Sequence, residues 1–178
     1  MKNVAFGILA IAAIVFGGVA PAAAALSVNV NQGNIQPMPI AIPDFAAPQP
    51  SDVAAGQNIA GVVRADLDRS GLFRPLDQKS FIDHITNINT IPNYADWRVI
   101  NAQGLVTGQV QMQSDGRLRV DFRLWDVYGE SQMLGLQYFT TPENWRRIAH
   151  MISDAIYQRI TGEKRGENVM SGKSPSIC

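Results

Sequence analysis

The stretch "MPIAIPDFAAPQPSDVAAGQNIAGVVRADLDRSGLFRPL", Met38 to Leu76, decides the fold. Its first eight residues, Met38 to Phe45, are densely apolar and partly β-branched, which predicts a buried strand. Pro39 and Pro43 lie four apart, and N–H groups of alternate strand residues point the same way. One side of this strand therefore lacks two donors, which predicts pairing mainly through the other side or an edge position. "AAPQP" breaks the chain, and Ser51 to Gly71 reads as a helix. Ser51 is its expected N-cap, Asp52 suits the positive end of the dipole, and Gly71 is the expected stop. Val53, Ala60, Val63 and Leu67, with Ile59 beside them, form one apolar stripe that should cover a sheet. "LFRPL" then gives a second strand. Strand, helix and strand in about 40 residues predict a right-handed crossover with two parallel strands in one sheet.

Further along, Asp77 to Asn93 shows turn formers without a sustained period, and Tyr94 to Ile100 predicts a short helix. "LVTGQVQMQ" and "RLRVDFRLWDVY" flank the turn signal "SDG". In the second segment Leu118, Val120, Phe122 and Leu124 alternate with Arg117, Arg119, Asp121 and Arg123, so the hairpin should have one dry and one wet face. Trp125 falls on the wet face and is expected to be exposed, whereas Trp97 and Trp145 are assigned to the core. "SQMLGLQYFT" adds a third strand. A last helix begins at Thr141 as N-cap with Pro142 at its first position and ends at Gly162. Trp145, Ile148, Ala149, Ile152, Ile156 and Ile160 form its apolar face, and Arg146, Arg147, Asp154 and Arg159 its wet one. The fold class is α/β in an α+β two-layer arrangement, a mixed sheet with helices packed on it.

The chain opens "MKNVAFGILAIAAIVFGGVAPAAAA": one early positive charge, an apolar run and then small residues. This is the build of a secretory signal peptide over residues 1–25, with cleavage expected after Ala23-x-Ala25. The only cysteine is Cys178, so neither a lipoprotein leader nor an internal disulfide is encoded. Export then delivers a soluble chain to an oxidising compartment, stabilised by an ordinary core. Of the 178 residues, 153 remain after the leader, enough for one domain over residues 37–162. Removing Lys2 from 15 basic residues leaves 14 against 15 acidic ones, a balance that implies neither nucleic acid nor an anionic membrane as partner. Residues 163–178 are polar and expected to be disordered.

Chemistry is sparse. His84 lies in the segment without a period and His150 on the last helix, and neither has further ligands at metal-binding spacing. There is no Gly-rich phosphate loop, nucleophile elbow or Cys/His pair, and no cofactor is expected. Arg117, Arg119 and Arg123 share a strand face with Asp121, a pattern read first as a solvated face of paired charges and second as a polyanion surface. Between leader and fold lies an arm, residues 26–36, beginning "LSVNVNQGN". Leu26, Val28 and Val30 alternate with Ser27, Asn29 and Asn31, followed by Gln32, Gly33 and Asn34.

A polar β-like arm, "PIAIPDF", "IAGVVRADLDRSGLFRPL", "DWRVINAQGLVTGQV" and "ISDAIYQRITGEKRG", in that order, resemble the TolB amino-terminal domain family over Leu26 to Gly166. The resemblance implies an α/β domain similar to anticodon-binding domains, located in the periplasm as part of the Tol-Pal envelope system. It implies no enzyme activity. It further implies that the arm, Leu26, Ser27, Val28, Asn29, Val30, Asn31, Gln32, Gly33 and Asn34, binds the inner-membrane protein TolA. Through this system the outer membrane keeps its integrity and constricts during cell division. In the family a six-bladed β-propeller follows and binds the lipoprotein Pal. Here "ENVMSGKSPSIC" follows instead, without repeats of roughly 40 residues, so no propeller is expected and Pal binding lacks its platform. The chain then reads as a stand-alone module or a truncated or frameshifted product, the tail favouring truncation. The alternatives are an exported small ligand-binding domain or enzyme, with a pocket near His84, Arg123 or Trp125, and an inactive remnant.

Overall fold

Met38–Ala41 (β1) forms the hub of a five-stranded sheet in a computed structural model that describes residues 36–162. The other elements are α1 (Val53–Arg69), β2 (Phe73–Pro75), α2 (Tyr94–Val99), β3 (Gly104–Met112), β4 (Leu118–Asp126), β5 (Ser131–Thr140) and α3 (Trp145–Thr161). The spatial order is β2-β1-β3-β4-β5, with β1 parallel to β2 and β3, and an antiparallel β3-β4-β5 meander. The mixed sheet, the parallel crossover unit and the meander agree with the sequence reading.

β1 is shorter than predicted and interior rather than at an edge. It ends at Ala41, and Ile42 and Phe45 are buried beyond it in irregular backbone. The prolines are accommodated by brevity. Against β3 the register covers only Ile40↔Gly104 and Ala41↔Leu105, and Pro39 contributes its carbonyl, which accepts from the Gln103 N–H at 2.9 Å. Contact with β3 resumes past Pro43 at Ala46, whose N–H donates to the Gly108 carbonyl at 2.8 Å. Pro39 and Pro43 thus interrupt the ladder without displacing the strand to an edge of the sheet.

The entrance to α1 also departs from expectation. Pro50–Asp52 forms a single 3-10 turn, and Ser51 is no N-cap: its hydroxyl donates to Asp52 Oδ1 at 3.0 Å. Asp52 is buried, and its Oδ2 accepts from the Met112 backbone N–H at 2.8 Å, pinning the helix start to the end of β3. Val53 belongs to the predicted stripe but is exposed, because the inward face begins one turn later at Gly56. Gly71 follows the helix at φ +73, as a left-handed stop requires. Asp52→Ala would leave the Met112 N–H unpaired. It should cost about 1–3 kcal/mol, read as a lowered denaturant midpoint with unchanged m-value.

Two cores result. On one face Ile40, Val106, Val120, Phe122 and Leu124 meet Ile59, Val63 and Leu67 of α1 and Ile148, Ile152 and Ile156 of α3. Trp145 is half-buried against this core. On the other face Ala41, Leu105, Trp125 and Val127 pack beneath Trp97 and Ala102, with Phe81, Ile85 and Tyr94 at the rim. The segment of residues 77–93 and α2 therefore cover the second face over β1, β3 and the end of β4. Arg98 fastens α2 there, donating from Nε and Nη2 to the Val127 carbonyl at 3.2 Å each and pairing with Glu130. No helix among the described residues is long and apolar enough to cross a membrane.

Candidate partner-binding site

The predicted binding residues Leu26 to Asn34 lie outside the described residues, as does the leader. What the structure gives is the root of the arm. Gln36 and Pro37 are exposed, and Met38 anchors the chain into the sheet by donating its N–H to the Leu72 carbonyl at 2.9 Å. The residues immediately before β1 therefore leave the sheet on the solvent side of this anchor.

The second candidate surface is the charged face of the meander. It is uncovered toward β5, where a shallow groove of about 510 Å³ is lined by Asn89, Gln109, Arg119, Asp121, Arg123, Gln132 and Gln137 among others. Its charges are largely satisfied by neighbours. Arg119 pairs with Asp121 at 2.8 Å, Gln137 donates to Asp121 Oδ1 at 2.8 Å, and Arg123 donates to Asn89 Oδ1 at 2.7 Å. Arg117 turns away, reaching Asp115 at 2.8 Å and the Phe139 ring at 4.8 Å. The Arg117 backbone N–H, and after it the Arg117 guanidinium, hold the Asp115 carboxyl below the usual carboxylate range, so its support for the turn is lost as pH falls through that lowered value. The paired-charge reading of this face describes Arg117 and Arg119. Asn89, in the segment without a period, is a groove residue that no spacing signalled.

Trp125 is not exposed. It lies on the predicted face, but only 4% of it is accessible, and its Nε1 donates to Thr107 Oγ1 at 3.0 Å beneath α2 and Tyr94. It does not line the groove, so His84, Arg123 and Trp125 form no common pocket. His84 is exposed beside shallow depressions near Asp44 and Gln78. His150 Nδ1 lies 2.6 Å from Oδ2 of buried Asp66, joining α3 to α1. The contact ties two helices together, and Asp66 as its partner was not readable from the sequence, because 84 residues separate them. Among the described residues no group of three or more His, Cys, Asp or Glu side chains is placed to hold a metal ion.

These features define an α/β domain, with α1 and α3 on one face of its mixed sheet and, contrary to the expected two layers, α2 and residues 77–93 on part of the other. The chain belongs to the TolB amino-terminal domain family, which it matches over residues 26–133. Among solved structures it is similar to TolB from Acinetobacter baumannii, with 30% identity and a TM-score of 0.61 over 73% of this chain; the match spans 30% of that protein's length. Weaker likenesses are to a PelC variant dodecamer from Paraburkholderia phytofirmans (18% identity, TM-score 0.46, 66% of this chain and 86% of that one). The lipoprotein GNA1162 from Neisseria meningitidis is comparable (12% identity, TM-score 0.48, 68% of this chain and 96% of that one).

Proposed function

We propose that this chain is a periplasmic adaptor domain of the Tol-Pal envelope system. After export and cleavage of residues 1–25, it presents Leu26 to Asn34 as an extended segment to a TolA-like inner-membrane protein. Family membership supports the Tol-Pal related role. The observation that carries the arm's part is where the family match begins: residue 26, the first after the predicted leader, so the arm and the folded domain lie inside one continuous match.

The physical basis is strand addition. Main-chain N–H and C=O groups of the arm pair with an exposed sheet edge of the partner, and Leu26, Val28 and Val30 occupy alternate positions against it. Ser27, Asn29 and Asn31 point the other way, and their polar side chains tolerate water in the unbound arm. Gly33 supplies a hinge before β1. The action is binding without catalysis, contributing to outer-membrane integrity and constriction at division. Pal binding forms no part of the proposal, since the chain's match is confined to the amino-terminal domain.

Complementation tests the cellular role. A strain lacking TolB and producing this chain should regain part of its resistance to detergents, and a version lacking Leu26 to Asn34 should not. Detergent sensitivity identical to that of the empty strain would identify the chain as an inactive remnant.

A further inference from the structure

We propose that the groove on the charged face of the meander binds a small carboxylate ligand that carries hydroxyl or amide groups beside its carboxylate, with Arg123 as the anion receptor. Arg119 and Asp121 neutralise one another there, since Nη2 and Nε of Arg119 lie 3.2 and 2.8 Å from the two Asp121 oxygens. Arg123 is placed differently. Its guanidinium donates to two neutral amide oxygens, Asn89 Oδ1 at 2.7 Å and Gln132 Oε1 at 3.4 Å. No carboxylate among the described residues pairs with it, and its other N–H groups have no partner among them. The groove therefore carries one positive charge that its own lining does not balance.

Local backbone features open and line this space. The register of β5 shifts opposite Leu124 and Trp125, so Gln132 rather than Met133 falls on the face of Arg123, while Met133 packs on the first core. Gly135 stands directly opposite Arg123. A Cβ there would come within 2.7 Å of Gln132 Nε2, so the missing side chain is what lets Gln132 lie over the strand toward Arg123. On the other wall Asn89 is held by its neighbour Ile88, which is buried, and by its own N–H, which donates to Asn87 Oδ1 at 2.9 Å.

The next row across the three strands is Gln109, Asp121 and Gln137. The Gln109 side-chain amide has no partner among the described residues, and Gln137 gives its Nε2 to Asp121 at 2.8 Å while its carbonyl oxygen stays open to the groove. Two coplanar carboxylate oxygens match the guanidinium fork of Arg123. Amides that both donate and accept match hydroxyl or amide groups beside that carboxylate. Charge selects a carboxylate over a phosphate: one negative charge balances Arg123, whereas a dianion brings a second charge that no other uncompensated guanidinium meets. At about 510 Å³ the groove lies within the range of small-ligand sites, about 300–1,000 Å³.

Titration of the full chain, labelled for nitrogen NMR, with D-glucuronate tests the proposal. D-glucose supplies the hydroxyls without the carboxylate, acetate the carboxylate without the hydroxyls, and inorganic phosphate the competing anion. The expected result is a saturable shift of the Arg123 Nε–H and of the Gln109 and Gln137 side-chain amides by glucuronate. Glucose, acetate and phosphate should each bind about tenfold more weakly or worse, the effect of losing at least one charge-assisted hydrogen bond or its equivalent. Arg123→Lys keeps the charge but loses the fork and should weaken glucuronate binding about tenfold; Arg123→Met should abolish it. Gly135→Ala should also weaken it, because the new methyl displaces Gln132 into the groove, while the thermal melt stays where it was. Preserved dispersion of the remaining amide signals shows that each variant is folded. No saturable shift with glucuronate, equal affinity for glucose, tighter binding of phosphate, or binding indifferent to Arg123→Met overturns the proposal.

Discussion

Trp97→Ala is expected to cost about 3–5 kcal/mol. Trp97 is 1% exposed and is the central side chain of the second core, packed edge-on against Phe81 with ring centroids 5.3 Å apart. Ala41, Leu105, Trp125 and Val127 form the sheet surface beneath it. Removing the indole leaves a void that a six-residue helix and an irregular segment cannot collapse to fill without losing their own seat. Two readouts should move together: the denaturant midpoint falls, and residues 77–93 become open to proteolysis under native conditions. Trp97→Phe should cost less than half as much, because the indole N–H has no hydrogen-bond partner among the described residues to lose. Equal losses for the two variants would show that the indole N–H matters in a way packing does not explain.

Gly108→Val should destabilise by about 3 kcal/mol, at the upper end of the range for overpacking. Phe45 is the reason. Its ring lies flat on the backbone of β3 at Gly108, where an added Cβ would come within 2.4 Å of two ring carbons. The ring has no space to retreat, because Phe45 is 3% exposed. Its carbonyl in turn lies 2.4 Å from where a Cβ on Gly56 of α1 would stand. Helix, loop and strand therefore meet at Phe45 between two glycines. Gly56→Ala should consequently lower stability even though alanine favours a helix by about 1 kcal/mol over glycine. Phe45→Ala added to Gly108→Val should cost less than the sum of the two single changes, since the clash is counted once. Additive losses in that cycle would mean that Phe45 and Gly108 are not coupled.

The elements of this fold were legible wherever one side of a segment alone decided its fate. β4 alternates from Leu118 to Leu124, and α3 shows its stripe, because each packs one face on a continuous core. The glycine stops at Gly71 and Gly162 were legible because both take left-handed φ, +73 and +75. Trp125 shows where periodicity ends. Alternation placed it correctly on the face of Arg119 and Arg123, but that face is wet beside β5 and dry beneath α2, and only tertiary cover distinguishes the two. Residues 77–93 gave no period because isolated side chains, Phe81, Ile85 and Ile88, anchor the segment in place of a repeating stripe.

The buried carboxylates were illegible for a related reason. Asp52 looked like a dipole residue and nothing local singled out Asp66, yet each serves a partner far along the chain, Met112 and His150. Their role is set by the packing of α1 on β3 and α3, which no local window contains. The arm is the reverse case. Its alternation at Leu26, Val28 and Val30 is plain in the sequence, but alternation does not distinguish a strand kept from a strand donated. That distinction came from its position after the leader and from the family.

The measurement that bears most directly on the adaptor reading is an isothermal titration of the exported chain against a TolA C-terminal domain, with and without Leu26 to Asn34. Strand addition through even three or four main-chain hydrogen bonds, at about 1 kcal/mol each, corresponds to a loss of about 100-fold or more in affinity when the arm is removed. The account predicts saturable one-to-one binding by the intact chain and no measurable binding by the deleted one, with both chains equally folded. Unchanged affinity after deletion, or no binding by the intact chain, would contradict it.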